Sequence, residues 1–436
     1  MTSASEASHS TGLLTDRYEL TMVEAALRSG AADRRCVFEV FARRLPDGRR
    51  YGVVAGTGRL LQAIADFRFA DAELTALESV VDAPTLRWLA GYRFTGSAWG
   101  YGEGETFVPG SPIFGVEASF AEAVVLETVV LSILNHDSAI AAAASRMVVA
   151  AHGRPCLEMG SRRTHEEAAV AAARASYLAG FAGTSNLEAG RRYTIPTIGT
   201  AAHAFTLLHD DERSAFTAQV ACLGPETTLL VDTYDVEQGV RTAVEVAGSA
   251  LGAVRLDSGD LLDQAYAVRA QLDTLGARDT RIVVTSDLDE YAIAALAAAP
   301  VDSYGVGTSL VTGSGAPTAG LVYKLVAREG ADGGMVSVAK RSLDKTSIGG
   351  RKWALRRRSH GVAQAEVVGI GHLPADTPDD GTDRALLIPL IERGEPVGAE
   401  PLDAARARHA ASLAELPATA RQLSRGEPVI PTILEP

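Results

Sequence analysis

The sequence predicts a parallel α/β architecture, and two observations carry the prediction. Short apolar runs alternate with helical segments through the middle third of the chain, and most of those runs end in Gly, Asp, Ser or Thr. Taken in order, "RPCLEMG" reads as a strand entering "THEEAAVAAARASYLAG", an alanine-rich helix. Thr164 would open it, with Glu167 three residues on, in a reciprocal capping pattern. "FAGTSN" leads to "LEAGRRY", and the strand-like "IPTIGTA" leads to the helical "DDERSAFTAQVACLG". "TTLLVDTYD" precedes "VEQGVRTAVEVAGSALG", and "AVRLDSGD" precedes "LLDQAYAVRAQLDTLG". "RIVVTSD" precedes "LDEYAIAALAAA", and "VDSYGVG" closes the series. A closed or nearly closed barrel and an open doubly wound sheet both fit this pattern. Either gathers the residues at the carboxyl ends of the strands on one face, where ligands bind.

The flanks differ from this array. Residues 34–125 offer the strand candidates "RCVFEVFARRL", "RYGVVAG" and "TFVPGSPIFGVEAS", separated by helices, and residues 124–151 read as one long helix entering the array. After about residue 335 strands return in "MVSVAKRSL", "KWALRRRS" and "AEVVGIG". A loop, "LPADTPDDGT", and an Ala/Arg-rich helix near 401–424 follow. The expected organisation is a disordered start at 1–11, a flanking domain at 12–125 joined by part of the C-terminal region, the array at 126–335, and C-terminal strands and helices at 336–436.

Composition narrows the function. The 436 residues carry a net charge of −13, the wrong sign for a general nucleic-acid or anionic-membrane surface, though a locally basic pocket remains compatible. Cys36, Cys156 and Cys222 form no CxxC pair, so neither a disulfide framework nor a zinc site is expected, and a reducing cytoplasm fits best. "MTSASEASHST" has no basic or apolar signal region. The most apolar long stretch, "SAIAAAASRMVVAA", is short for a bilayer and holds an arginine.

The strand ends share a chemical character. "EMGSRR" offers Arg162 and Arg163, "VDTYD" offers Asp232 and Asp235, "VRLDSGD" offers Arg255, Asp257 and Asp260, "TSD" offers Asp287, and "YGVGTS" offers a glycine-rich turn. Charged residues at such places are ordinarily just solvated, but five ends converging on one face suggest a site. Gly305 and Gly307 of "GVGTS", with Thr308, would let the backbone cradle a phosphate. Asp257 and Asp260 suit ribose hydroxyls or a magnesium ion on a diphosphate; the bland alternative is that these aspartates cap helices. The arginines suit a carboxylate or a phosphate. His203, in "TIPTIGTAAHAF", sits among small and apolar residues at the mouth of a helix. Read alone, it is a hydrogen-bonded core histidine.

At these residues the chain resembles the nicotinate phosphoribosyltransferase family. The matching segments are "LLTDRYELTM", "EMGSRRTHEEA", "GFAGTSNLEAG", "IPTIGTAAHAF", "LLVDTYD", "VRLDSGDL", "VTSDLDE" and "GVGTSLVTGSGAPTAGLVYKLV". They stand in the family's order across most of residues 12–326, and the last hundred residues match only loosely. The resemblance implies an irregular parallel α/β barrel of the type II phosphoribosyltransferase kind with a smaller flanking α/β domain. It implies a homodimer with shared active sites, and a reaction joining nicotinate to 5-phosphoribosyl 1-diphosphate with ATP and Mg²⁺. By the same resemblance His203 would be phosphorylated by ATP, Tyr18 would stack on the pyridine, and Arg255 and Thr200 would hold the nicotinate side. Ser185 stands where nicotinamide-using relatives place an acid, which favours a carboxylate-bearing ring. A nicotinamide or quinolinate phosphoribosyltransferase, or a catalytically silent nucleotide-binding barrel, are the competing readings.

Overall fold

The computed structural model describes residues 10–340, 348–373 and 382–435. Two units emerge: Met1–Ala139 with Thr318–Pro436, and Ile140–Pro317 between them. The divisions differ from the expected 125/126 and 335/336. One falls inside the helix Glu127–Ala150. The other falls before Leu321–Glu329, because that strand pairs antiparallel with Arg35–Ala42 along its length, from Ala42↔Leu321 to Cys36↔Arg328.

The continuous unit holds a six-stranded, wholly parallel sheet. Its strands in chain order are β1 (Cys156–Glu158), β2 (Gly183–Thr184), β3 (Thr228–Leu230), β4 (Ala253–Leu256), β5 (Arg281–Val284) and β6 (Ser303–Val306). They lie in space as β2-β1-β6-β5-β4-β3. Val254, Leu256, Ile282, Val284, Tyr304 and Val306 are buried, as sequence runs apolar on both faces require. Past β2 the sheet curls on through a single parallel bridge, Thr184↔Thr197.

Three local expectations change here. "TIPTIG" forms that one bridge and no strand: Thr194 is left-handed (φ 58°) where it closes the helix Leu187–Tyr193, and Pro196 has no N–H to give. The helix after β1 runs Glu166–Leu178 and is capped by His165, whose Nδ1 accepts the Glu167 amide at 3.3 Å, so Thr164 does not open it. The expected helix 124–151 is two, Phe120–Val124 and Glu127–Ala150. Together, Phe120–Ala150 is long and apolar enough to cross a bilayer by length and composition. Val129, Val130, Leu134, Ala141, Ala143 and Met147 are buried, so its apolar character belongs to the protein core.

The discontinuous unit is built on a seven-stranded antiparallel sheet and a four-stranded sheet. The latter orders Asp383–Ala385, Lys352–Ser359, Val362–Ile370 and Thr432–Glu435. Arg356, with a side chain 1% exposed, pairs with Glu105 at 3.1 Å and Glu366 at 2.5 Å and donates to the Thr106 carbonyl at 2.7 Å. Lys352 pairs with Glu39 at 2.6 Å, equally buried. Glu19, on the helix Arg17–Ser29, accepts the Thr128 amide at 3.0 Å and so serves the first turn of Glu127–Ala150. Burial pushes its carboxyl up to about 7, although donation from Thr128 and Thr15 pulls the other way. The Ala/Arg-rich helix spans Leu402–Glu415 and does not reach 424; Pro417 follows it closely. Of "MVSVAKRSL" only Met335–Ser337 is a strand among the described residues. Most of the "LPADTPDDGT" loop and nearly all of the 1–11 segment, His9 included, lie outside the described residues.

Candidate active site

The carboxyl ends of the strands β1 to β6 carry most of the predicted residues, and side chains there do the positioning. β4 supplies Arg255 and β5 leads into Thr285. The Arg255 Nε donates to the Thr285 hydroxyl at 3.0 Å and its Nη2 donates to Asp257 Oδ1 at 3.0 Å. Nη1 reaches the Ala201 carbonyl at 3.3 Å and the Thr200 hydroxyl at 3.5 Å. Arg255 is therefore fixed by strand, loop and carboxylate, yet its five donors are not all spent. Thr285 also donates to Asp257. Burial works to raise the Asp257 carboxyl, but donation from Thr285 and Arg255 and the charges of Arg255 and His203 outweigh it, and the group sits below its ordinary value.

His203 is the first residue of α1 (His203–Leu208). Its Nε2 lies 3.1 Å from Asp232 Oδ1, with the carboxylate side chain 1% exposed and the imidazole 38% exposed. Asp232 Oδ2 accepts the Asp257 amide at 3.0 Å and the Ser258 hydroxyl at 2.6 Å. A carboxylate accepts and does not donate, so the Nε2 of His203 carries the proton, and in the neutral ring the lone pair is on Nδ1. The core-histidine reading fails: this ring is half-open and held by an acid.

Two adjoining cavities meet at these residues. One, of about 220 Å³, is lined by Arg162, Arg163, Asp287, Ser286, Gly305, Gly307 and Thr308. The other, of about 280 Å³, is lined by Ser185, Gly199, Thr200, Ala202 and His203. Met159, Arg162, Arg255 and Asp257 line both. The first suits a phosphate, with three arginines against two aspartates; the second is flatter in charge and suits an aromatic acid beside Arg255.

Several expectations are corrected. Asp260 caps α3 (Leu261–Thr274), accepting the Leu262 and Asp263 amides at 3.1 and 3.2 Å, and lines neither cavity. Asp235 likewise caps α2 (Val236–Ala247). Among the described residues no group of three or more His, Cys, Asp or Glu is placed to hold a metal ion. Asp260 is thus spent on its cap, and of the two expected magnesium ligands Asp257 alone lines the cavities. Gly305 is glycine for a packing reason, since a Cβ there would meet Thr285 Cγ2 at 2.6 Å and Met159 Sδ at 2.7 Å. Tyr18 belongs to the other unit, 47% exposed on its helix; burial of the rest of the ring, then the charges of Glu127, Glu19 and Asp16, push its phenol up.

Sequence reasoning missed Thr285, Glu158 and Ser286. Glu158 is fully buried under the site, accepting from the Gly160 amide and the Thr184 hydroxyl; burial raises its carboxyl despite that donation. Ser286 holds φ 98°, costly for a residue with a Cβ, between two cavity residues. Threonine and serine carry no pattern that would have singled them out.

A phosphate-sized basic cavity at the carboxyl ends of a curled parallel sheet, beside a histidine–carboxylate pair, defines an enzyme of the phosphoribosyltransferase class. The comparisons specify which branch. Residues 13–135 match the nicotinate phosphoribosyltransferase (NAPRTase) N-terminal domain, and residues 155–347 match the nicotinate phosphoribosyltransferase (NAPRTase) family. The chain belongs to that family. It is 60% identical over 432 residues to "Nicotinate phosphoribosyltransferase pncB1" of Mycobacterium tuberculosis (strain CDC 1551 / Oshkosh), covering 97% of this chain and 94% of that protein. It is 39% identical over 360 residues to the nicotinate phosphoribosyltransferase of Bacillus subtilis (strain 168), covering 80% and 73%. The crystal structure of human nicotinic acid phosphoribosyltransferase superposes with a TM-score of 0.82 at 25% identity, covering 96% of this chain and 97% of that one.

Proposed function

We propose that this chain joins nicotinate to 5-phosphoribosyl 1-diphosphate, giving nicotinate mononucleotide and diphosphate in NAD salvage, with ATP coupled through phosphorylation of His203. The observation that carries the coupling is the His203–Asp232 pair opening on the cavity it shares with Arg255 and Asp257. Asp232 holds the Nε2 proton, so the Nδ1 lone pair attacks the γ-phosphorus of ATP while the bond to the bridging oxygen breaks and ADP leaves with its electrons. The ring keeps its Nε2 proton, becomes cationic, and faces the Asp232 charge.

Sugar transfer itself asks for little acid–base help, because the pyridine nitrogen offers a lone pair and has no proton to lose. It asks for positioning and for stabilisation of charge. Arg162, Arg163, Asp287, Gly307 and Thr308 would seat the phosphates, and Asp257 the ribose. Ser185, Thr200 and Arg255 would receive the nicotinate carboxylate. Magnesium would enter on the diphosphate and neutralise it. Tyr18, by the family resemblance, would stack on the pyridine in a homodimer with shared sites. The free thiols of Cys36, Cys156 and Cys222 fit the cytoplasm.

The test is a diphosphate-release assay with nicotinate, nicotinamide and quinolinate, each with and without ATP. Nicotinate should be preferred, and ATP should accelerate release. His203→Ala should lose the ATP-driven gain and keep a slow ATP-independent transfer. If that variant still forms phosphoprotein at the parent's rate, His203 is not the acceptor.

A further inference from the structure

The segment after β1 and the segment after β2 are tied together by a run of hydrogen bonds with fixed directions. Both oxygens of the buried Glu158 carboxyl accept, one from the Gly160 amide and the other from the Thr184 hydroxyl. The Thr184 oxygen, its own proton spent on Glu158, accepts the Asn186 amide at 2.9 Å. The Ser185 amide donates to the Glu158 carbonyl at 2.8 Å. Asn186 in turn caps the helix Leu187–Tyr193, its Oδ1 accepting the Ala189 amide at 2.8 Å. A backbone N–H only donates, so this cap settles which end of the Asn186 side chain is oxygen. The other end, Nδ2, therefore donates to Ser161 Oγ at 3.0 Å.

Ser161 is where the run ends. Its oxygen accepts from Asn186, and among the described residues its hydroxyl proton has no acceptor. The residue is half-buried and lines the second cavity together with Ser185, Thr200 and Arg255. A hydroxyl that already accepts an amide N–H has its proton to offer, and accepting strengthens it as a donor.

We propose that Ser161 is a further substrate-binding residue whose hydroxyl donates to the carboxylate of nicotinate, and that Asn186 is the positioning residue that keeps it a donor. The assignment rests on the nicotinate reading of this site. A carboxylate accepts on both oxygens, so Ser161 and Arg255 can serve it together. Ser161 brings its donor from the β1 side of the cavity, and Ser185 stands on the β2 side. The Glu158 carboxyl fixes the backbone of both segments.

The experiment is a steady-state diphosphate-release assay on the full chain, with KM and kcat measured for each substrate and a thermal melt for each variant. Ser161→Ala should raise KM for nicotinate about 10- to 100-fold, the usual worth of a hydrogen bond to a charged group. Its kcat, and its KM for 5-phosphoribosyl 1-diphosphate, should stay within about threefold of the parent's. Ser161→Thr, which keeps the hydroxyl, should restore most of the parent's KM. Asn186→Asp keeps the helix cap but puts an acceptor where Nδ2 stood, which draws the Ser161 proton away from the cavity. It should raise KM for nicotinate about as much as Ser161→Ala does, and far less when Ser161 is already alanine. An added charge acting directly on the substrate would cost the same in both backgrounds, and that result overturns the proposal. So does an unchanged KM for nicotinate in Ser161→Ala, or a rise shared equally by both substrates. A parent that uses nicotinate beside an unaffected Ser161→Ala sinks this assignment alone; a parent that does not use nicotinate sinks the reading of the site with it.

Discussion

Replacing Asp232 by Asn keeps the shape of the His203 partner and removes its charge. The amide oxygen still accepts from the Asp257 amide and the Ser258 hydroxyl. Its NH₂ then faces Nε2 of His203, 3.1 Å away, and a donor at that place drives the ring proton to Nδ1. The nucleophilic lone pair moves to the wrong nitrogen, and the cationic ring of the phosphorylated state loses its counter-charge. For unit charges 3.1 Å apart at an effective dielectric near 20, the attraction is roughly 5 kcal/mol. The imidazole is 38% exposed, and solvent screening brings this down to about 2–3 kcal/mol. Phosphorylation should slow by about 30- to 160-fold. The assay is acid-labile phosphate on the protein after rapid quench with γ-labelled ATP, alongside a thermal melt to confirm folding. ATP-independent sugar transfer should change by no more than about threefold. Phosphorylation of the folded variant at the parent's rate would refute the tautomer argument.

Further outcomes separate the site from its surroundings. Asp257→Asn should raise the barrier to transfer by about 2–4 kcal/mol with a melting point near the parent's; normal turnover would remove it from the site. Asp260→Ala should do the reverse, costing about 1 kcal/mol of stability through its lost helix cap and leaving kcat/KM intact in a steady-state assay. Ser185→Asp should shift the ratio of nicotinate to nicotinamide specificity constants, since the bare repulsion of a carboxylate about 4 Å away is roughly 4 kcal/mol at a dielectric near 20, partly offset by Arg255. Equal loss for both substrates would place Ser185 away from the substituent. Glu19 has a folded-state carboxyl raised to about 7 from 4.5, so the unfolded chain ionises first and stability is lost as pH climbs from about 4.5 to 7. Denaturant unfolding of Glu19→Gln should show that loss, about 3 kcal/mol, abolished at pH 8 and no difference from the parent near pH 4; a parallel loss in both proteins would contradict the assignment.

The array was legible because its signal is local: buried parallel strands must be short apolar runs, and the chain spells them one after another. What sequence could not separate was two aspartates in one motif. Asp232 and Asp235, and Asp257 and Asp260, share the same spacing and the same place after a strand. In each pair the first faces the site and the second caps the following helix. Either role suits an aspartate, and only the path of the backbone between them decides. "TIPTIG" misled for the opposite reason: its β-branched residues favour a strand, but its single proline and a left-handed threonine deny it the ladder. The division into units was hidden because it depends on a strand pairing between residues nearly three hundred positions apart.

That pairing has a consequence for how the protein is made. On the ribosome, Arg35–Ala42 is synthesised long before Leu321–Glu329, the neighbour that covers one of its edges. About 280 residues must be added in between, roughly 15 to 55 s of translation at ordinary rates. Throughout that interval the nascent chain carries an open sheet edge, and the carboxylates of Glu39 and Glu105 still await Lys352 and Arg356. The segment Ile140–Pro317 faces no such wait, since all six strands of its sheet lie within it. Chains released before residue 321 would therefore carry one finished unit and one unfinished, adhesive one, the part of this protein that a chaperone has most reason to hold.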